Sequence, residues 1–397
     1  MNGNIRTEQV PPKFFDTTAQ PDRGPLHKQP AISVVIPTYN EAAHIIALLD
    51  NFLQTRYTGL LEVLVVDGGS LDETCALVER VCAVDPRVRL LRNPMKIQSA
   101  ALNIGISQMR GDVLIRADAH AAYASDYIEQ CVDALLHTQA LNTGGCMRFV
   151  AETPFQAGTA IAARSILAAG GSKHRASAYD GPSDSVWLGC FWRRDLERLA
   201  SDQIRPTLWI DAQQNHVQIR SVFDLDQVVN QDAELNLRLG RLGPNRIHVS
   251  SKIKAWYYPR STWKGLRTQY FRYGRGRLRS MSLHPKQTPL RPKLPIYGTV
   301  IGGLLLLLDR VFLGGRMRTL EAGMIGALVP MGESLRLVVQ TQTAFTEEIW
   351  RGPKDQMPSL FERWLHCSIV LYTILPSFTA GYIYQLVRRR LLGVTGW

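Results

Sequence analysis

Two aspartates close strongly apolar runs and a third opens a helical pattern. Asp67 follows "LLEVLVV", Asp118 follows "DVLIRA", and Asp232 precedes "AELNLRL", with His120 two residues beyond Asp118. A carboxylate at a strand exit is an oxygen ligand for a hard divalent cation. A neutral imidazole can join it, and the pair suits Mn2+ or Mg2+ better than zinc. Such a cation bridges phosphate oxygens and neutralises the charge on a departing diphosphate. The commoner phosphate cradles are missing, since no G-x-G-x-x-G opens the first helix and there is no P-loop with its lysine. Taken singly, an Asp after a strand is an ordinary turn former, and Asp232 at the head of its helix suits an N-cap. Three polar strand exits together, "PTYNE" (Pro37 to Glu41), "DGGSLDET" (Asp67 to Thr74) and "RADAH" (Arg116 to His120), weigh towards one shared pocket.

The elements that must position these residues alternate. "ISVVIP", "LLEVLVVD", "RVRLLRN" and "DVLIRAD" read as short buried strands. Between them lie "AAHIIALLDNFL", with Ile45, Leu48, Leu49 and Phe52 on one face, "LDETCALVERV", with an acidic first turn, and "SAALNIGISQM", all read as helices. Strands alternating with helices predict βαβ crossovers and an α/β fold, a Rossmann-like and mainly parallel sheet flanked by helices. Ligands of such sheets bind beyond the carboxyl ends of the strands, where the three exits lie. Further on, Leu235, Leu239 and Leu242 mark the face of a helix that starts near Asp232.

The 46 Lys+Arg against 34 Asp+Glu leave the chain at +12, and the segment from Lys252 to Lys293 contains basic residues and no Asp or Glu. That field suits an anionic partner, and its place beside apolar segments favours membrane lipid over nucleic acid. The six cysteines, 75, 82, 131, 146, 190 and 367, form no C-x-x-C pair and read as reduced core thiols. Residues 1–30 are polar and rich in proline, without an export signal, and read as a flexible arm.

"VVIPTYNE", "VVDGGSLDET", "NIGISQMRGDVLIRADAH" and "NQDAELNLRL" resemble the inverting nucleotide-sugar glycosyltransferases of family 2, which have the GT-A fold. More narrowly, "RADAHAAY", "VWLGCFWRRD" and "AWYYPRSTWKGLRTQYFRYGRGR" resemble the glucosyltransferases of succinoglycan-type exopolysaccharide assembly. The resemblance implies that Pro37, Tyr39, Glu41 and Asp67 hold the nucleotide of a UDP-sugar. It also implies that Asp118 and His120 form the metal motif, with His120 replacing the second Asp of the family's D-x-D. Asp232 becomes the general base that deprotonates the acceptor hydroxyl, and Gln231 stands where the family has Glu. "QYFRY" (Gln269 to Tyr273) is a loose version of Q-x-x-R-W and offers Arg272 to the diphosphate. "GGSKHRAS" (Gly170 to Ser177) reads as a loop that the resemblance places near the acceptor.

The stretch around Trp263 to Arg279 is equally a basic amphipathic helix for anionic lipid. "CSIVLYTILPSFTAGYIYQLV" (Cys367 to Val387) is uncharged and long enough to cross a bilayer, with Arg388, Arg389 and Arg390 following on the cytoplasmic side. "IYGTVIGGLLLLL" (Ile296 to Leu308) is apolar but short, and Met324 to Val339 is interrupted by Glu333 and Arg336. A buried hairpin of a soluble protein is the alternative for this tail.

The expected organisation is the arm at 1–30, a GT-A domain at 31–255, a basic interface segment at 256–293 and a membrane-associated helical module at 294–397. The expected activity is transfer of a sugar, glucose by resemblance, from a UDP-sugar to a saccharide on a polyprenyl diphosphate lipid. The expected location is the cytoplasmic side of the inner membrane. A processive polysaccharide synthase and a non-catalytic membrane scaffold that keeps the fold remain as alternatives.

Overall fold

A computed structural model describes residues 29–397 apart from 170, 201–203, 212, 289, 291–292 and 395, so the arm expected at 1–30 lies almost wholly outside the described residues. The chain divides into two compact units. One holds the residues up to Cys146 together with Ala178–Ala255, and the other holds Met147–Ser177 with Trp256–Trp397.

The first unit begins as the alternation predicts, with β1 (Ile32–Thr38), α1 (Ile45–Leu53), β2 (Leu60–Asp67), α2 (Thr74–Val84), β3 (Val88–Arg92), α3 (Gln98–Gln108) and β4 (Val113–Arg116). There follow β5 (Ala121–Tyr123), α4 (Tyr127–His137) and β6 (Asn142–Phe149), whose end enters the second unit and leads to α5 (Pro154–Ala162) and α6 (Ile166–Ala169). The first unit resumes with β7 (Gly181–Pro182), β8 (Trp187–Trp192), α7 (Arg193–Leu199), β9 (Thr207–Ile210), β10 (His216–Ile219), α8 (Gln231–Leu239) and β11 (Ile247–Tyr257).

The sheet runs β3-β2-β1-β4-β8-β6-β11-β5, with β7 added along β11. The pairs β3–β2, β2–β1 and β1–β4 are parallel, whereas β8 lies antiparallel to both β4 and β6. β1, β2 and β4 are buried almost throughout, which is why they read as nearly continuous apolar runs rather than alternating ones, whereas edge strand β3 is only partly buried. Ile45, Leu48, Leu49 and Phe52 form the buried face of α1, as their spacing predicts. Helix α3 is buried along most of its length. At its centre Gly105 is required, because a Cβ there would land on the Val35 side chain. Buried Asn103 on the same helix accepts from the backbone of Val222 and Phe223 at 3.0 and 2.8 Å and donates to Phe223 O and Thr207 Oγ1, satisfying all four positions.

Some local expectations need correction. Helix α2 has no acid in its first turn; Asp72 and Glu73 precede it, and Asp72 instead accepts from Thr74 N and Ala42 N. Helix α8 ends at Leu239, so Leu242 lies beyond it, half-exposed. All six cysteines are free, but Cys75 and Cys82 are half-buried and Cys367 lies in the second unit.

The second unit is helical beyond β11, with α9 (Trp263–Leu283), α10 (Leu294–Phe312), α11 (Thr319–Ala327), α12 (Val329–Thr341) and α13 (Leu360–Leu391). Its core gathers Ala157 and Ile161 of α5, Leu337 and Val338 of α12, and Val370 and Leu371 of α13. Thr153 with Gln156 and Ser359 with Glu362 form capping boxes that fix where α5 and α13 start. Helix α10, α11 joined to α12, and α13 are each long and apolar enough to cross a membrane.

Candidate active site

The exits of β1, β2 and β4 are tied to one another in the first unit. At the β1 exit Asn40 takes a left-handed conformation (φ 54°), so that its backbone N donates to Ser70 Oγ (2.8 Å) and its Oδ1 accepts from Leu71 N (2.8 Å). Glu41 N donates to Thr74 Oγ1 (2.8 Å). Pro37 ends the strand beside Thr38, and the Tyr39 ring stands exposed. Asp67 is buried and shapes its own loop. Its carboxylate accepts from Gly69 N (2.7 Å), Ser70 N (3.0 Å) and Ser70 Oγ (2.5 Å).

At the β4 exit Asp118 and His120 diverge. Asp118 Oδ1 takes Arg116 Nη2 at 3.1 Å and Gln98 Nε2 at 3.3 Å, while His120 Nδ1 lies 3.2 Å from Glu41 Oε1. Tyr123 braces the turn, accepting from Asp118 N (2.7 Å) and donating to Asp118 O (3.1 Å). Burial first, and then the charge of Asp118, pushes this phenol well above its ordinary range, so it stays a neutral donor.

Asp232 enters from α8. The residue before the helix is Asn230, left-handed and without a side-chain cap, so Asp232 is not the N-cap; it sits in the first turn, and its Oδ1 accepts from Ala233 N at 2.8 Å. A carboxylate there is favoured by the helix N-terminus. Asp232 lines a small cleft with Arg116, Asn142, Asn236, Phe191 and Phe223.

Arg116 is the residue the motif reading passed over. It is 7% exposed, pairs with Asp118 at 3.1 Å and lines the same cleft as Asp232. Burial works against its charge, but Asp118 and Asp232 outweigh that and raise the guanidinium's hold on its proton. A second link runs from Asp118 through Gln98 to Gln231, which donates to Gln98 Oε1. The replaced Glu of the family pattern is thus a buried amide engaged with α3. A signal for Arg116 was present in "VLIR", because an arginine closing a buried strand requires an anionic partner.

Among the described residues no group of three His, Cys, Asp or Glu side chains could hold a metal ion. Asp118 Oδ2 is approached by Arg116 Nη2 at 3.5 Å, and His120 is nearly half-exposed. A carboxylate oxygen and an imidazole nitrogen are donor types that Mn2+ or Mg2+ accepts, but here Asp118 is turned to Arg116 and Gln98 and His120 to Glu41. Arg272 belongs to the second unit, where it is exposed on α9; Gln269 of the same motif donates to Tyr257 Oη (3.0 Å) and Tyr273 Oη (3.1 Å). In "GGSKHRAS", Gly170 lies outside the described residues, and Lys173–Arg175 form one short turn with Arg175 over the Phe149 ring at 5.1 Å.

The glycosyl transferase family 2 pattern matches residues 33–224, which contain the three strand exits. Succinoglycan biosynthesis protein ExoA of Rhizobium meliloti (strain 1021) is 36% identical over 267 residues, 66% of this chain and 74% of that protein. The chain belongs to glycosyl transferase family 2. A dolichyl N-acetyl-alpha-D-glucosaminyl phosphate 3-beta-D-2,3-diacetamido-2,3-dideoxy-beta-D-glucuronosyltransferase of Methanococcus voltae is 26% identical over 251 residues, 61% of this chain and 71% of that one. Among solved structures, the mannosyltransferase PcManGT from Pyrobaculum calidifontis in complex with GDP-Man and Mn2+ aligns over 90% of this chain and 87% of that one, at 16% identity and a TM-score of 0.44. The parallel β3-β2-β1-β4 half with its flanking helices, followed by antiparallel strands, is the GT-A-like architecture that family membership implies.

Proposed function

We propose that this family 2 enzyme transfers a sugar, glucose in first place, from a UDP-sugar to a saccharide carried on a polyprenyl diphosphate lipid, with inversion, at the cytoplasmic side of the inner membrane. The observation that carries the reading is that buried Arg116 pairs with Asp118 at 3.1 Å and lines one cleft with Asp232, in a chain whose three strand exits are hydrogen-bonded into one rim. The similarity to ExoA, a succinoglycan biosynthesis protein, supports the exopolysaccharide setting. The similarity to the Methanococcus transferase, whose acceptor is a dolichyl phosphate sugar, supports a lipid-linked acceptor.

In this reading Pro37, Tyr39, Glu41 and Asp67 receive the uridine and ribose, with exposed Tyr39 offering a ring face. Asp118 and His120 would hold Mn2+ or Mg2+, which when bound neutralises charge on the diphosphate. Asp232, lining the cleft from the first turn of α8, takes the proton of the acceptor hydroxyl as that oxygen bonds to the anomeric carbon. The bond to the UDP oxygen breaks, its electron pair leaves with UDP, and the configuration inverts from an α-linked donor to a β-glycoside.

The test is UDP release by the full-length, detergent-solubilised chain over a panel of UDP-sugars with Mn2+, Mg2+ or chelator. Asp118→Ala is expected to abolish release and metal-enhanced UDP binding, and unchanged turnover would remove Asp118 from the site. Asp232→Asn is expected to keep UDP affinity while turnover falls roughly 100-fold, the scale for a lost general base. Neither release nor binding of any UDP-sugar would overturn the donor assignment.

A further inference from the structure

Three helices of the second unit have the length and composition of membrane spans, yet their surroundings differ sharply. Helix α13 is packed on one face along both halves, with 44% of its apolar window buried against 11% and 17% for the other two. Its first half receives α5, where a Cβ on Gly158 would strike His366 and Cys367. Its second half runs alongside α9 in a constant parallel register: Trp263 Nε1 donates to Thr373 Oγ1 (3.0 Å) and Arg275 Nε to Gln385 Oε1 (3.0 Å). Between these points Gly381 faces the Phe271 carbonyl and Gly274 faces the Phe378 carbonyl, so closely that neither tolerates a Cβ. Whatever depth the second half of α13 occupies, α9 occupies too. Yet α9 carries Arg267, Arg272, Arg275, Arg277 and Arg279 and no acid. Carrying that many guanidinium groups into hydrocarbon is strongly unfavourable, whereas the headgroup layer welcomes them.

The stretch from α10 through α11 is the opposite case. Leu304, Leu307, Val311, Met324, Ile325 and Leu328 are each 57% exposed or more, with few contacts to cover them. The 19 residues of α10 span about 28 Å, close to the hydrocarbon thickness of about 30 Å. Charges mark the ends of this apolar hairpin. At its tip Asp309 closes the turn by accepting from Met317 N (2.9 Å) and Thr319 N (3.0 Å), beside Arg310, Arg316 and Arg318. At its base Glu333 pairs with Arg336 at 2.7 Å, and Ser334 Oγ meets Ser368 Oγ at 2.6 Å, joining α12 to α13.

We infer that the bilayer contact of this protein is the α10–α11–α12 hairpin, which crosses twice with its arginine-bearing tip at the far headgroups, and that α13 does not cross. Helices α13 and α9 lie together at the near headgroup layer, where their arginines meet anionic lipid. This holds whatever sugar the enzyme transfers. The full-length protein carrying Cys75→Ser and Cys82→Ser is labelled with a nitroxide at Leu304→Cys, Ile325→Cys or Ala380→Cys. It is then reconstituted in phosphatidylcholine–phosphatidylglycerol vesicles. Collision with oxygen is expected to exceed collision with a polar nickel chelate several-fold at positions 304 and 325, and to fall below it at 380. An oxygen-rich label at 380 would make α13 a span, and chelate-rich labels at 304 and 325 would take the hairpin out of lipid; either overturns the inference. In membrane vesicles, Arg316→Cys should react with an impermeant maleimide only from the face opposite the one that labels Leu392→Cys. Labelling of both from one face would overturn the double crossing.

Discussion

Replacing Arg116 with methionine removes the cation that Asp118 faces at 3.1 Å, in a pair whose side chains are 8% and 16% exposed. Breaking a buried ion pair from one side costs about 3–5 kcal/mol, because the remaining charge is stranded. Asp118 keeps the hydrogen bond from Gln98 and part of its solvation, so the lower end applies. A loss of about 3 kcal/mol is a shift of roughly 100-fold in the local opening equilibrium. Asp118→Asn alone leaves the guanidinium with only Asp232 as a nearby carboxylate, whereas the double variant Arg116→Met/Asp118→Asn strands neither member of the 3.1 Å pair, and Asp232 keeps its bond from Ala233 N. The double variant is therefore expected to recover about 2 kcal/mol relative to the sum of the single losses. Hydrogen–deuterium exchange of peptides from β1, β4 and α3 reads this in the first unit without requiring the whole chain to unfold in one step. Losses that add to within about 0.5 kcal/mol would refute the placement of Arg116 as the partner of Asp118.

Glu62 is fully buried and gathers Ser33 Oγ (2.8 Å), Arg110 N (2.6 Å), Arg89 Nη1 (2.7 Å) and Arg110 Nε (2.9 Å). Burial raises its pKa, but these bonds outweigh it and hold the carboxyl below its ordinary 4.5. A depressed carboxyl stabilises the fold above the unfolded value and loses that contribution as pH falls through the folded one. Glu62→Gln should cost about 2 kcal/mol at neutral pH. The gap from wild type should narrow below pH 4.5 in a stability-versus-pH series, and a constant gap would contradict the assignment. Gly105→Ala places its methyl on Val35 and should cost about 1–3 kcal/mol in exchange stability of α3, with no loss expected if the two helix and strand backbones can part freely.

How much of the site was legible in the sequence follows the range of the interactions involved. The four parallel strands, the buried face of α1 and the position of Asp67 are local: β-branched runs, helical spacing and an aspartate that hydrogen-bonds the next two or three residues of its own loop. The order of motifs also carries the family, because each lies at a strand exit and the spacing between exits is that of one βαβ unit after another. Tertiary structure decided the rest. His120 finds Glu41 across 79 positions and Gln231 finds Gln98 across 133, so no local pattern reports either pair. Asp232 is moved from cap to first turn by the left-handed Asn230, a backbone state the side-chain pattern does not encode. The tail is the clearest case. Hydropathy makes α13 long and apolar enough to cross a membrane, and only the fold shows that two glycines let basic α9 pack against it, the contact on which the inference about its depth rests.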